Sequence, residues 1–344
     1  MNDYFCVLPF FGAEYRPQGF VSPCCLMPAD TNVQEVQDIM MSGQRAPACQ
    51  KCWILEDQGK ISDRQLKNSA FDFYSNRDIR FIEEDCRQNK FSPQIIKLYT
   101  SNLCNSTCVT CVPQYSTAWA TLKNVKIFNV IEQSIIDSFV YQDFVMLNFV
   151  GGEPLKEKKN FDILTKLIAV NNIDCFISIT TNGSVKLSEL QKDILKRFKN
   201  LNICLSIDGI EKRFEYMRYP LSWDLLLENI EFFRKNNNEI SISYTISNVN
   251  ILYYNETTNW FKKQGFNHNH IIVSVPSYFS PTALPLQTKL QLDSNIVSTS
   301  THTKMNDQQF ILACKELKLQ DSLKKINIKD YMPDFYDIIP IELR

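Results

Sequence analysis

Six short apolar segments rich in β-branched residues recur from residue 94 onward: Gln94 to Thr100, Val145 to Val150, Cys175 to Thr181, Leu201 to Ile207, Ile240 to Ile246 and His270 to Val275. Helical patterns separate them. Ile127, Val130, Ile131 and Ile135 share one helix face, Phe161, Leu164 and Ile168 a second, and Trp223, Leu226, Leu227 and Ile230 a third. Repeated strand-helix units demand parallel strands with helices outside, as an open doubly wound sheet or a barrel. One strand helps to choose. In Ile240 to Ile246, isoleucine and Tyr244 alternate with Ser241, Ser243 and Thr245, which places all the polar side chains on one face. A doubly wound sheet buries both faces in apolar contacts. The polar face therefore fits an incompletely closed barrel with a polar ligand in its lumen, or else an edge strand with one wet face.

The chain of 344 residues, 44% apolar, suffices for one substantial core and a smaller satellite domain. No apolar run approaches the roughly 18 residues that span a bilayer, and Met1 to Phe10 lacks the positive start of a signal peptide. A cytoplasmic protein with no membrane association is expected. Basic and acidic residues nearly balance, at 37 and 38, and no basic run is interleaved with aromatics, so nucleic-acid binding is unsupported. Twelve cysteines without a secretion signal point to metal coordination more than to disulfides. Glycine is scarce, and Gly151, Gly152, Gly183 and Gly209 all fall just after expected strands.

Cys104, Cys108 and Cys111 follow the first of the six strands with the spacing C-x3-C-x2-C. A closed zinc site or an ordinary cubane iron-sulfur cluster takes four protein ligands, so a three-cysteine loop leaves one position for another molecule. Barrel enzymes build their sites at the C-terminal ends of strands. There the chain carries Gly151-Gly152-Glu153, Thr180-Thr181-Asn182-Gly183 and Leu205-Ser206-Ile207-Asp208-Gly209. Together these motifs resemble the radical S-adenosylmethionine (SAM) superfamily. The resemblance implies a partial (β/α)6 TIM-like barrel over residues 94 to 280 and a 4Fe-4S cluster on Cys104, Cys108 and Cys111. SAM would then chelate the open iron.

Gly151, Gly152 and Glu153 would receive the SAM ammonium group. Asn182, Ser206 and Asp208 would border its carboxylate and ribose, and Arg218, twelve residues beyond Ser206, would pair with the carboxylate in a charge-assisted contact. Asn182 equally suits a turn. Thr110 departs from the family, which usually has an aromatic residue before the last cysteine, and leaves adenine contacts to Tyr115 or the strand ends.

Residues 1 to 75 hold a second ligand pattern: Cys6, then Gly19 and Cys24 with four residues between them, then Cys49 and Cys52 as C-x2-C. Four cysteines suit a tetrahedral zinc. The spacing also resembles the opening of SPASM and twitch modules, which implies an auxiliary 4Fe-4S cluster; Cys25 could replace Cys24 as a ligand. Residues 76 to 93 read as a connector and 281 to 344 as a C-terminal extension with a helical pattern from Asp307 to Ile326. His268, His270 and His302 form no ligand spacing, and Cys86 and Cys314 read as buried cysteines before hydrogen-atom donors.

The resemblance implies reductive cleavage of SAM, with an electron from flavodoxin or ferredoxin, to a 5′-deoxyadenosyl radical that abstracts hydrogen. A peptide or protein substrate is the first expectation, and a small molecule or nucleotide the second. A non-catalytic zinc or iron-sulfur scaffold is the third.

Overall fold

The computed structural model describes residues 2–236, 238–292 and 307–344. His302 therefore lies outside the described residues. The architecture is mixed α/β, with eight strands in the order β2-β1-β3-β4-β5-β6-β7-β8. These are β1 (Gly12–Arg16), β2 (Gly19–Ser22), β3 (Ile95–Tyr99), β4 (Met146–Val150), β5 (Phe176–Thr181), β6 (Leu201–Ser206), β7 (Glu239–Ile246) and β8 (Asn267–Ile272). By contact the chain forms two compact units. The first comprises Met1–Asn102, Asn129–Ile179 and Leu187–Asn202; the second comprises Leu103–Phe128, Thr180–Lys186 and Ile203–Arg344.

In the first unit the N-terminal segment enters the sheet. β1 pairs parallel with β3, from Gly12 opposite Ile95 to Tyr15 opposite Leu98, and β2 folds back on β1 antiparallel. Around this pairing Phe5, Phe10, Phe11, Met40, Trp53 and Phe71 pack with Ile95 and Met146. Phe11, Phe71 and Ile82 are fully enclosed, each contributing roughly 1.5–3 kcal/mol by leaving water. Ile82 and Cys86 come from the helix Ile79–Arg87, so the stretch from 76 to 93 supplies side chains to this core. Lys97, Asn148 and Ser178 stand in register across β3, β4 and β5. Asn202 Nδ2 donates to Ser178 Oγ at 3.2 Å, which makes that face of the sheet polar.

Two local expectations differ. Val130 and Ile131 are extended, not helical: Val130 bridges Ser101, and Ile131 N donates to the Thr100 carbonyl at 2.7 Å. Asn102 is the physical reason, since its backbone N–H donates to the Asn129 carbonyl and its side-chain oxygen accepts from Asn129 N. Helix is confined to Gln133–Asp137. The last strand is Asn267–Ile272, earlier than the apolar run suggests, so His268 and His270 lie within it.

In the second unit, Ile242, Tyr244 and Ile246 of β7 are buried while Ser241, Ser243 and Thr245 are half-buried, which follows the alternation in the sequence. The helix Trp223–Lys235 buries Trp223, Leu226 and Ile230. The helix Asp307–Lys324 is tied down at its end: Tyr216 Oη donates to Asp321 Oδ1 at 2.8 Å and Tyr219 Oη to the Lys324 carbonyl at 3.2 Å. Among the described residues no helix is long and apolar enough to cross a membrane.

Candidate functional site

Cys104, Cys108 and Cys111 lie in the second unit, half-buried and without disulfides. Their loop is held from several sides. Thr107 N and Val109 N donate to the Tyr219 and Met217 carbonyls at 2.6 and 2.9 Å. Thr117 Oγ1 accepts from Cys104 N at 3.0 Å, and Trp119 Nε1 donates to the Cys108 carbonyl at 2.9 Å. Ser106 Oγ sits 3.3 Å from both Cys104 Sγ and Cys108 Sγ, so the two sulfurs lie within twice that distance of each other. Burial, reinforced by the Cys108 and Cys104 sulfurs, pushes the Cys111 thiol up to about 12. A metal bound there would have to displace that proton.

Arg218 supplies positive charge to the same loop. Its Nη1 lies 3.8 Å from Cys108 Sγ and its Nη2 is 2.8 Å from Asp208 Oδ2, with both side chains of the ion pair buried. Asp208 is itself anchored, as Oδ1 accepts from Thr245 N at 2.9 Å and its carbonyl accepts from Asn250 Nδ2 at 2.8 Å. Arg218 Nε is buried without a partner among the described residues. An orphaned donor of this kind fits an anionic ligand.

Asn182 binds the loop directly. Its Nδ2 donates to Asn105 Oδ1 at 2.9 Å, Asn105 Nδ2 donates to Ser184 Oγ at 2.8 Å, and Ser184 N donates to Asn182 Oδ1 at 3.0 Å. Asn182 thus closes its own turn and ties it to the cysteine loop. Ser206 ends β6, half-buried, and Tyr115 is exposed.

In the first unit, Gly151-Gly152-Glu153 follows β4. Gly151 has φ +118°, and a Cβ there would stand 2.8 Å from the Ser101 carbonyl oxygen, to which Gly152 N donates at 3.0 Å. Only glycine fits both demands. Gly151→Ala is expected to destabilise the fold by about 2 to 3 kcal/mol, read as a lower urea midpoint with an unchanged m-value; an unchanged midpoint would contradict the cradle. Glu153 is buried, and its Oε1 accepts from Leu155 N at 3.0 Å.

The N-terminal cysteines also converge within the first unit. Cys6, Cys24, Cys49 and Cys52 line one cavity with Leu8, Met27, Ala48 and Arg64. Leu26 N donates to Cys24 Sγ at 3.4 Å. Arg64 is fixed at the wall by Glu56, at 2.9 and 2.8 Å, and by the Phe5 carbonyl at 2.7 Å. Burial pushes the Cys49 thiol up to about 11 and raises Cys6 further. Cys25 is exposed, and a hydrogen bond shared with Cys24 lowers its thiol to about 6. Among the described residues, no three His, Cys, Asp or Glu side chains are close enough to hold a single metal ion.

Sequence reading missed Trp119, Gln320 and Lys324. Gln320 Nε2 donates to the Val109 carbonyl at 3.1 Å, and Lys324 Nζ lies 4.8 Å over the Trp119 ring. Burial pulls the Lys324 ammonium down to about 8 against the attraction of Cys108, Asp321 and Glu316. A link of more than 200 residues leaves no local signal.

No protein-family model and no curated protein sequence matches the chain. Among solved structures, it is similar to native anSMEcpe with bound AdoMet, at 19% identity and a TM-score of 0.43, covering 68% of this chain and 62% of that one. It is also similar to Streptococcus suis SuiB bound to S-adenosylmethionine, at 17% identity and a TM-score of 0.42, covering 59% of this chain and 46% of that one. A third is methylornithine synthase (PylB), at 10% identity and a TM-score of 0.39, covering 64% and 61%. The chain thus spans less than two thirds of the length of each. The likenesses are distant, and function is read from the chain's own residues.

Proposed function

We propose that this chain is a radical SAM enzyme in which Cys104, Cys108 and Cys111 hold a 4Fe-4S cluster with one iron left for SAM. One observation carries the reading: three thiols stand on a loop fixed by its neighbours, with the Arg218 guanidinium against Cys108 and its Nε unsatisfied. Bound there, the cluster supplies the electron that cleaves SAM to methionine and a 5′-deoxyadenosyl radical. The residues of the chain orient that reaction. Asp208 holds Arg218 in place for the SAM carboxylate, and Ser206 lines the same strand end. Asn182 fixes the loop through Asn105. The Gly151-Gly152 turn and Glu153 are the residues that the resemblance assigns to the ammonium group.

Cys6, Cys24, Cys49 and Cys52 hold a second, auxiliary 4Fe-4S cluster in a twitch-like module. Zinc on the same four thiols is the alternative. A peptide or protein is the substrate class that the resemblance of the module implies, with flavodoxin or ferredoxin as electron donor and the cytoplasm as location.

Anaerobic reconstitution with iron and sulfide tests the proposal. About eight irons per chain are expected, with 5′-deoxyadenosine and methionine formed in equal amounts once SAM and dithionite are added. Cys49→Ala is expected to lower the iron to about four and to leave 5′-deoxyadenosine formation in place. Zinc at both sites without SAM cleavage would overturn the proposal.

A further inference from the structure

The helix Asp307–Lys324 ends on a buried cation. Lys324 is 5% exposed, and among the described residues it makes no ion pair: its Nζ donates to the neutral Gln320 Oε1 at 3.1 Å. Burying an ammonium group is costly unless a negative charge compensates it. The neighbouring carboxylates attract the ammonium without pairing with it. Asp321 accepts from Tyr216 Oη and from Ile328 N, and Glu316 pairs with Lys123 at 3.1 Å.

A further source of negative charge is the cysteine loop once it holds an anionic cluster, and this helix end is physically joined to that loop. Gln320, which accepts from Lys324, donates to the Val109 carbonyl at 3.1 Å. Trp119, whose ring faces the ammonium at 4.8 Å, donates to the Cys108 carbonyl at 2.9 Å.

We propose that Lys324 is the charge-compensating residue for an anionic cluster on Cys104, Cys108 and Cys111, and that its ammonium favours the one-electron-reduced form of that cluster. The inference rests on the cluster reading given above. One electron from a chemical reductant such as dithionite makes the cluster one unit more negative, with no bond made or broken in the chain. A fixed cation stabilises that added charge. At an effective dielectric near 20, unit charges about 10 Å apart interact strongly enough to change a one-electron equilibrium roughly tenfold, which is 59 mV.

The test uses the full chain, reconstituted anaerobically and titrated with dithionite under electron paramagnetic resonance. The signal absent from Cys108→Ala identifies the cluster on this loop. In Lys324→Met that signal should persist with unchanged iron content, and its ratio of reduced to oxidised cluster at a fixed potential should fall about tenfold. Lys324→Arg should return the ratio to that of wild type. Without metal, Lys324→Met should melt no lower than wild type, since a buried charge that makes no ion pair has been removed. Wild-type titration by Lys324→Met, or a metal-free melting temperature below that of wild type, would overturn the proposal and make Lys324 a structural residue. If no signal depends on Cys108, the cluster reading itself fails and takes the proposal with it.

Discussion

Reconstituted Cys108→Ala is expected to lose about half the iron of the wild-type chain and all reductive cleavage of SAM, with a wild-type circular dichroism spectrum. The Cys108 sulfur meets Ser106 Oγ and Arg218 Nη1, and its carbonyl meets Trp119. Loss of the sulfur removes a ligand while the carbonyl contact survives, so the loop keeps its path and the cluster has only two thiolates. A metal site with a missing ligand has no protein substitute here. Cleavage at more than a trace level in this variant would show that SAM is activated elsewhere.

The second large effect is expected at the ion pair beneath the loop. Asp208→Ala leaves the Arg218 guanidinium buried without its counter-ion, and breaking a buried pair in this way costs about 3–5 kcal/mol. The backbone N–H of Thr245 loses its acceptor as well, which places the variant toward the upper end. The double variant Asp208→Ala/Arg218→Met should regain a large part of the loss, because the stranded charge is gone. Urea denaturation of the single and double variants reads the difference. A double variant no more stable than Asp208→Ala would mean that the aspartate acts through the strand contact and not through the guanidinium.

Much of the second unit was legible because its signals are local. The Ile-Ser alternation of β7 reads directly as a buried and a half-buried face, and the glycine at 183 marks a turn that a Cβ would block, as Gly151 does in the first unit. The cysteine spacing named a ligand set with no further help. Where the sequence misled, a side chain had captured backbone that periodicity assigned to a helix: Asn102 draws Asn129 into an extended pairing beside β3. Where it was silent, the partner was remote. Lys324 looks like any basic residue near a helix C-terminus, and only the fold brings it to Trp119. Asp208 and Arg218 were each expected to face a ligand, while their pairing with each other was not legible.

The parallel pairing of β1 with β3 bears on how the N-terminal cysteine module relates to the rest of the protein. An appended module can be cut away at its linker, but this one is laced into the sheet by main-chain bonds, with Gly12 to Tyr15 opposite Ile95 to Leu98. A chain begun at residue 94 would bare the β3 edge, and a row of unpaired N–H and C=O groups is a template for other chains. It would also strip Ile95 and Met146 of the aromatic residues that cover them. The module therefore serves as a selvedge for the sheet, and its loss would unravel more than the cysteine-lined cavity.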